Sequence, residues 1–121
     1  MDYILVVEDD EGVRQGIAEI IESEGFCVVS CDDGLDAIRQ LAERGDVPRV
    51  ILLDFAMPHM DGWAFLDARQ KDERLRGVPV LGMSASQKLI DQKIPPSGVD
   101  DFLKKPFKVE HMLDSIHKHW G

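Results

Sequence analysis

VILLDFAMPHMDG, residues 50–62, sets four apolar residues in a row and closes them on an acid. Val50, Ile51, Leu52 and Leu53 show no polar alternation, so the run reads as a strand buried on both faces. Asp54 follows with no turn residue between. Strands of this kind belong to parallel sheets covered by helices on either side. A carboxylate at the end of such a strand costs free energy unless a partner compensates it. The stretch therefore points to a fold class and raises a question about Asp54.

Similar short runs rich in branched residues recur outward from it, at Tyr3–Val7, Phe26–Ser30, Val78–Met83 and Val99–Leu103. Stretches with helical spacing separate them. Val13, Ile17, Ile20 and Ile21 lie on one helical face, with Asp10 placed to cap its start and Gly25 after its end. Leu35, Ile38, Leu41 and Ala42 form a second stripe, stopped by Gly45. Trp63, Phe65 and Leu66 belong to a third helix that Asp61 can cap. Val109, Met112, Leu113, Ile116 and Trp120 form a last one. Gln87 to Ile94 allow about two helical turns before Pro95-Pro96 forbids more and Ser97-Gly98 turns the chain. The reading is a single α/β domain over residues 1–121, a doubly wound five-stranded parallel sheet with a short fourth helix.

The chain of 121 residues suits one core. Its net charge of −9 argues against nonspecific nucleic-acid binding, whose phosphates need Lys and Arg. No apolar run approaches the ~18 residues of a membrane helix. Asp2, Glu8, Asp9 and Asp10 rule out a signal-peptide pattern, and Met1 favours a natural N-terminus, so the expected compartment is the cytoplasm. Cys27 and Cys31 on one strand would hold their Cα atoms ~13 Å apart. A disulfide needs less than ~7 Å, so reduced thiols are expected, at least one of them in the core.

In an open α/β sheet, ligands bind beyond the carboxyl ends of the strands. The residues following each run gain meaning from that rule. Glu8, Asp9 and Asp10 follow the first strand, Asp54 the third, Ser84 the fourth, and Lys104, Lys105 and Pro106 the fifth. Taken singly, each has a bland reading: a turn or cap acid, a helix-start cluster, a solvated lysine. Together, at one end of four different strands, they describe a site. Glu8, Asp9 and Asp54 repel one another unless a cation or raised pKa values intervene. Carboxylates and water without Cys or His suit Mg²⁺, and a lysine supplies charge for phosphate oxygens. Asp54 is placed to be the nucleophile of a phosphoryl transfer. By contrast, His59 in a loop and His111, His117 and His119 on the polar side of the last helix read as solvated surface. Trp63 and Trp120 read as packing residues.

ILVVEDDE (4–11), ILLDFAMPHMDGW (51–63), PVLGMSA (79–85) and DDFLKKPF (100–107) resemble, in order and spacing, the signature segments of the receiver domains of two-component response regulators. The resemblance covers essentially the whole chain. It implies a flavodoxin-like (βα)5 fold with strand order 2-1-3-4-5, the order shared by flavodoxins and CheY-like receivers. It implies that Asp54 accepts a phosphoryl group from a phosphohistidine of a sensor histidine kinase or histidine phosphotransfer protein. Asp9, Asp54 and the backbone carbonyl of Ala56 would ligate Mg²⁺, or Mn²⁺ in its place, with Glu8 acting through a metal-bound water. Lys105 would contact the phosphoryl group, and its bond to Pro106 would be cis. Ser84 would turn towards the phosphate and Phe102 would swing inward, a two-state switch read by a downstream effector.

Some positions depart from the family pattern. Ser84 stands where Thr is frequent and Phe102 where Tyr is frequent. Lys108 precedes the last helix where a capping Asp or Ser is common. Pro95-Pro96 replaces the end of the usual fourth helix, on the face that often meets the partner. Small Ala56 and Ser86 side chains would border the phosphate pocket and shield water poorly. The expected role is a regulatory phosphoacceptor that promotes only its own phosphorylation and dephosphorylation. An aspartate-nucleophile phosphatase is the alternative, but its usual second Asp two residues on is replaced here by Ala56. A flavin or nucleotide site is disfavoured because acids, not a Gly-rich loop, follow the first strand.

Overall fold

The structure, a computed structural model, describes residues 2–55, 62–85 and 99–120. Five strands, β1 (Tyr3–Val7), β2 (Cys27–Cys31), β3 (Val50–Asp54), β4 (Val80–Ser84) and β5 (Asp101–Lys104), form one parallel sheet in the order β2-β1-β3-β4-β5. This is the doubly wound, flavodoxin-like order. The described helices are α1 (Glu11–Ser23), α2 (Gly34–Glu43), α3 (Gly62–Gln70) and α4 (Val109–His119). The short helix expected over Gln87 to Ile94, the capping Asp61, Ala56, His59 and Ser86 lie outside the described residues.

Side-chain alternation divides the apolar residues into two cores. Tyr3, Leu5, Val7, Ile51, Leu53 and Val80 point to one face and meet Ala37, Leu41, Phe65 and Leu66 of α2 and α3. Ile4, Val6, Val50, Leu52, Leu81 and Met83 point to the other and meet Ile17, Ile21, Met112 and Ile116 of α1 and α4. Every residue of β1, β3 and β4 is buried, as strands covered on both sides must be. The edge strand β2 is not: Cys27 and Ser30 are exposed and only Cys31 is buried.

Strand ends shift by one or two residues from the sequence reading. β4 begins at Val80 rather than Val78, because the Val78 N–H is already bonded to the Leu75 carbonyl and its own carbonyl accepts from the Arg69 guanidinium at 2.6 Å. β5 begins at Asp101 rather than Val99, after a bend at Asp100. β2 covers Cys27–Cys31, one residue later than expected, and the Phe26 ring packs 4.8 Å from the Trp120 ring. β3 runs one residue further and includes Asp54 itself.

The helix readings need three corrections. In α2 the buried residues are Gly34, Ala37 and Leu41, whereas Leu35 and Ala42 are exposed, so the apolar face is turned from the expected stripe. Val13 of α1 and Val109 of α4 also stand largely in solvent while Ile17, Ile21, Met112 and Ile116 carry the burial. His119 is not solvated surface: α4 folds its last turn over the start of β5, and Nε2 lies 3.7 Å from the Asp101 carboxylate. That carboxylate also accepts a 2.8 Å bond from the Ser115 hydroxyl, one turn earlier. His111 and His117 are exposed.

Local signals explain the boundaries. Asp10 accepts from the Val13 N–H at 3.0 Å and Asp33 from the Asp36 N–H at 2.8 Å, so α1 and α2 each start on a side-chain cap. α1 ends before Gly25, whose φ of +92° places it in the left-handed region that favours glycine. Lys108 precedes α4 without a side-chain cap bond. Cys27 and Cys31 are free thiols, and burial pushes the Cys31 thiol up to about 12.

Candidate functional site

The site is built at the carboxyl edge of the sheet by register. Val7 pairs with Leu53, so the next residues, Glu8 just past β1 and Asp54 at the end of β3, stand at the same level. The pairing of β3 with β4 sets Asp54 beside Met83, one residue before Ser84. Ser84 pairs with Lys104, and the Lys105 N–H returns a 2.8 Å bond to the Ser84 carbonyl. The ends of four strands are thereby brought to one place. Glu8, Asp54 and Ser84 are buried there, and Asp9 is exposed at the rim.

Glu8, Asp9 and Asp54 each offer a carboxylate oxygen, and these oxygens lie within 4.8 Å of one another. Lys105 Nζ reaches into the cluster. It donates to a Glu8 carboxylate oxygen and lies 3.5 Å from Asp54 Oδ1. Burial pushes Glu8 up to about 7, and the adjoining Asp54 carboxylate pushes the same way against the pull of Lys105. Asp9 is held below the usual range although burial opposes it, because hydrogen bonds with Glu8 and Asp54 favour its charged form. Burial would lower Lys105, yet its bond to Glu8 and the charge of Asp54 leave it raised. The cluster is thus crowded with negative charge that one lysine only partly offsets. Three oxygen donors without sulfur or imidazole form a hard set, which fits Mg²⁺ or Mn²⁺.

Residues 4–117 match the family model of the response regulator receiver domain. The chain belongs to that family. Receiver domains are regulatory phosphoacceptors of two-component signalling. This receiver is 36% identical over 118 residues to the DNA-binding dual master transcriptional regulator RpaA of Synechocystis sp., covering 96% of the chain and 48% of RpaA. It is 28% identical over 117 residues to Protein PilG of Pseudomonas aeruginosa, covering 96% of the chain and 85% of PilG. It therefore spans about half the length of the first relative and most of the second. Its fold superposes on the chemotaxis protein CheY4 of Vibrio cholerae with a TM-score of 0.87 at 25% identity over 98% of both chains.

The other expected site residues of the receiver fall around the cluster. The Lys105–Pro106 peptide is cis. Phe102 is half-buried, and its ring lies 5.7 Å from that of Phe55, the residue after Asp54. The Phe55 ring meets Trp63 in turn at 5.4 Å. Gly82 makes this packing feasible. A Cβ there would lie 2.6 Å from Phe55 Cε2 and 2.8 Å from Phe102 Cε1. Gly82 pairs with Phe102 across the sheet and sits two residues before Ser84, on the same strand face. An apolar hollow of about 420 Å³, walled by Val13, Ile17, Pro106 and Phe107, opens beside Lys105.

Two residues near the site were not singled out from sequence. Phe55 follows a buried strand and reads there as one more apolar residue. Arg14 belongs to the first turns of α1, where its Nη1 donates to the Glu8 carbonyl at 2.9 Å and to the Asp9 carbonyl at 3.4 Å. An arginine four residues after the capping Asp10 was the available signal, since helical side chains lean back towards the N-terminus.

Proposed function

We propose that this receiver, over residues 1–121, is a phosphorylation-controlled switch in which Asp54 takes a phosphoryl group from a phosphohistidine of a sensor histidine kinase or histidine phosphotransfer protein. The observation that carries the reading is the placement of Asp54 on the central strand, with Glu8 and Asp9 oxygens within 4.8 Å and Lys105 Nζ at 3.5 Å. Asp9 and Asp54 would hold Mg²⁺ directly and Glu8 through water, with the Ala56 carbonyl, outside the described residues, as a further ligand. When bound, the cation supplies charge neutralisation for the carboxylates and the phosphoryl oxygens.

The chain's own groups do the rest. An Asp54 Oδ attacks phosphorus in line, the bond to the imidazole nitrogen breaks, and the histidine leaves neutral after taking up a proton. The product is an aspartyl phosphate. Lys105, already drawn between Glu8 and Asp54, turns its ammonium to a phosphoryl oxygen and keeps the new charge paired. The Ser84 hydroxyl, at the end of the adjoining strand, donates to another. As Ser84 moves, Phe102 swings inward, and the altered β5 face is what a downstream effector reads.

The protein in this reading turns over no outside metabolite, acts in the cytoplasm and makes no direct contact with nucleic acid through this domain. RpaA is named as DNA-binding, but the chain matches only 48% of it. Acetyl phosphate with Mg²⁺ and intact-mass measurement test the assignment. An adduct of ~80 Da is expected on the wild type and none on Asp54→Asn. An unchanged adduct on Asp54→Asn would overturn it, and sustained hydrolysis of phosphomonoesters would favour a phosphatase instead.

A further inference from the structure

We propose that Arg14 is a positioning residue for the metal cradle, holding the backbone of Glu8 and Asp9 so that their carboxylates converge with Asp54. The inference rests on the Mg²⁺ reading given above. Its starting point is the end of β1 at Val7. Beyond it the Glu8 N–H still bonds the Cys31 carbonyl at 3.1 Å, and the Asp10 N–H bonds the Glu8 carboxylate at 3.3 Å. The Glu8 and Asp9 carbonyls instead face one guanidinium nitrogen, Arg14 Nη1, at 2.9 and 3.4 Å. Fixing two successive carbonyls fixes the peptide planes on either side of the Asp9 Cα. That sets the direction in which the Asp9 side chain departs.

Asp9 needs such a constraint more than its partners do. Glu8 and Asp54 are buried and gripped by Lys105, whereas Asp9 stands exposed at the rim of the cluster. Arg14 itself is anchored. Its N–H bonds the Asp10 carbonyl at 2.8 Å, and Asp10 caps the same helix through Val13. The loop is therefore clamped at its exit by the cap and along its length by the guanidinium, and both ties come from the first turn of α1.

Charge separates this role from a purely electrostatic one. A guanidinium beside a cation site repels the cation, so if charge were its whole effect, removing Arg14 would tighten Mg²⁺ binding. If positioning dominates, removing it weakens binding, as loss of groups that orient metal ligands generally does. The two effects have opposite sign. Lysine keeps the charge but carries it on a nitrogen at the end of a flexible stem, without the rigid guanidinium plane that fixes Nη1 between the two carbonyls.

Calorimetric titration with MgCl₂ of the wild type, Arg14→Gln and Arg14→Lys tests this, with urea unfolding at zero and saturating Mg²⁺ alongside. We expect Arg14→Gln to bind Mg²⁺ on the order of tenfold more weakly than the wild type, with Arg14→Lys between them. Equal or tighter binding by Arg14→Gln overturns the proposal, as does a lowered urea midpoint with unchanged affinity. Should Arg14→Gln not fold, Arg14→Lys decides: weaker binding supports the role and wild-type affinity overturns it. A wild type that binds no Mg²⁺ would sink the cradle reading itself, and the inference with it.

Discussion

At the scale of single residues, the site works by placing like charges together and under-compensating them. Asp54, Glu8 and Asp9 converge within 4.8 Å, and Lys105 is the cation that faces two of them. A cation of higher charge can bind there because the protein has already done the desolvating and orienting. In the proposed mechanism Lys105 serves both states, held by the Glu8 and Asp54 carboxylates before transfer and by the phosphoryl group after it. Lys105→Ala should therefore slow labelling by a small phosphodonor on the order of 100-fold, the scale at which one charge-stabilising donor acts. The initial rate of adduct formation measures this, with far-UV circular dichroism unchanged because Lys105 lies at the rim of the fold. A labelling rate equal to wild type would remove Lys105 from the proposed mechanism.

At the scale of elements, β1, β3, β4 and β5 bring polar residues to one place because each ends where its neighbours end. Parallel pairing keeps Glu8, Asp54, Ser84 and Lys105 at one edge, and caps such as Asp10 turn the chain straight into the next helix. β4 has a further role through Gly82, whose missing side chain is filled by the rings of Phe55 and Phe102. Those rings connect the residue after Asp54 to the residue proposed to report phosphorylation. Gly82→Ala places a methyl at 2.6 and 2.8 Å from ring atoms, so the rings must move apart. Overpacking of this kind costs about 1–3 kcal/mol. The urea midpoint should fall accordingly, and Trp63 emission should shift because its ring rests on Phe55. An unchanged midpoint and spectrum would show that the hollow has slack.

At the scale of the whole molecule, the charge crowded at one edge is linked to global stability. Glu8 holds its proton up to about 7 in the folded chain, whereas the unfolded chain releases it near 4.5. Between those values the folded state binds more protons, so its stability falls as pH rises through the window. The loss is bounded on the order of 3 kcal/mol, one pKa unit being about 1.4 kcal/mol. Thermal unfolding between pH 4.5 and 8 without metal should show the decline. Saturating Mg²⁺ should remove most of it at the alkaline end, where a cation takes the place of the proton. A melting temperature that rises through the window without metal would contradict the stated balance. The same molecule shows how far its sequence could be read. The apolar runs, their helical alternation and the chain-order positions of Glu8, Asp9, Asp54, Ser84 and Lys105 were all legible, because a doubly covered parallel strand demands unbroken branched residues and its exit point is marked by the first polar one. Helix rotation was not. Leu35 and Ala42 fit an apolar stripe, but α2 docks through Gly34, Ala37 and Leu41, since the face a helix buries depends on the surface it meets. His119 beside Asp101, the Gly82 hollow shared by Phe55 and Phe102, and Arg14 on the Glu8 and Asp9 carbonyls were equally hidden. Sequence periodicity by itself determined which strands exist and, to within one or two residues, where they end. Only the tertiary structure decided which side chains meet, because contacts between elements are set by docking geometry that no local pattern encodes.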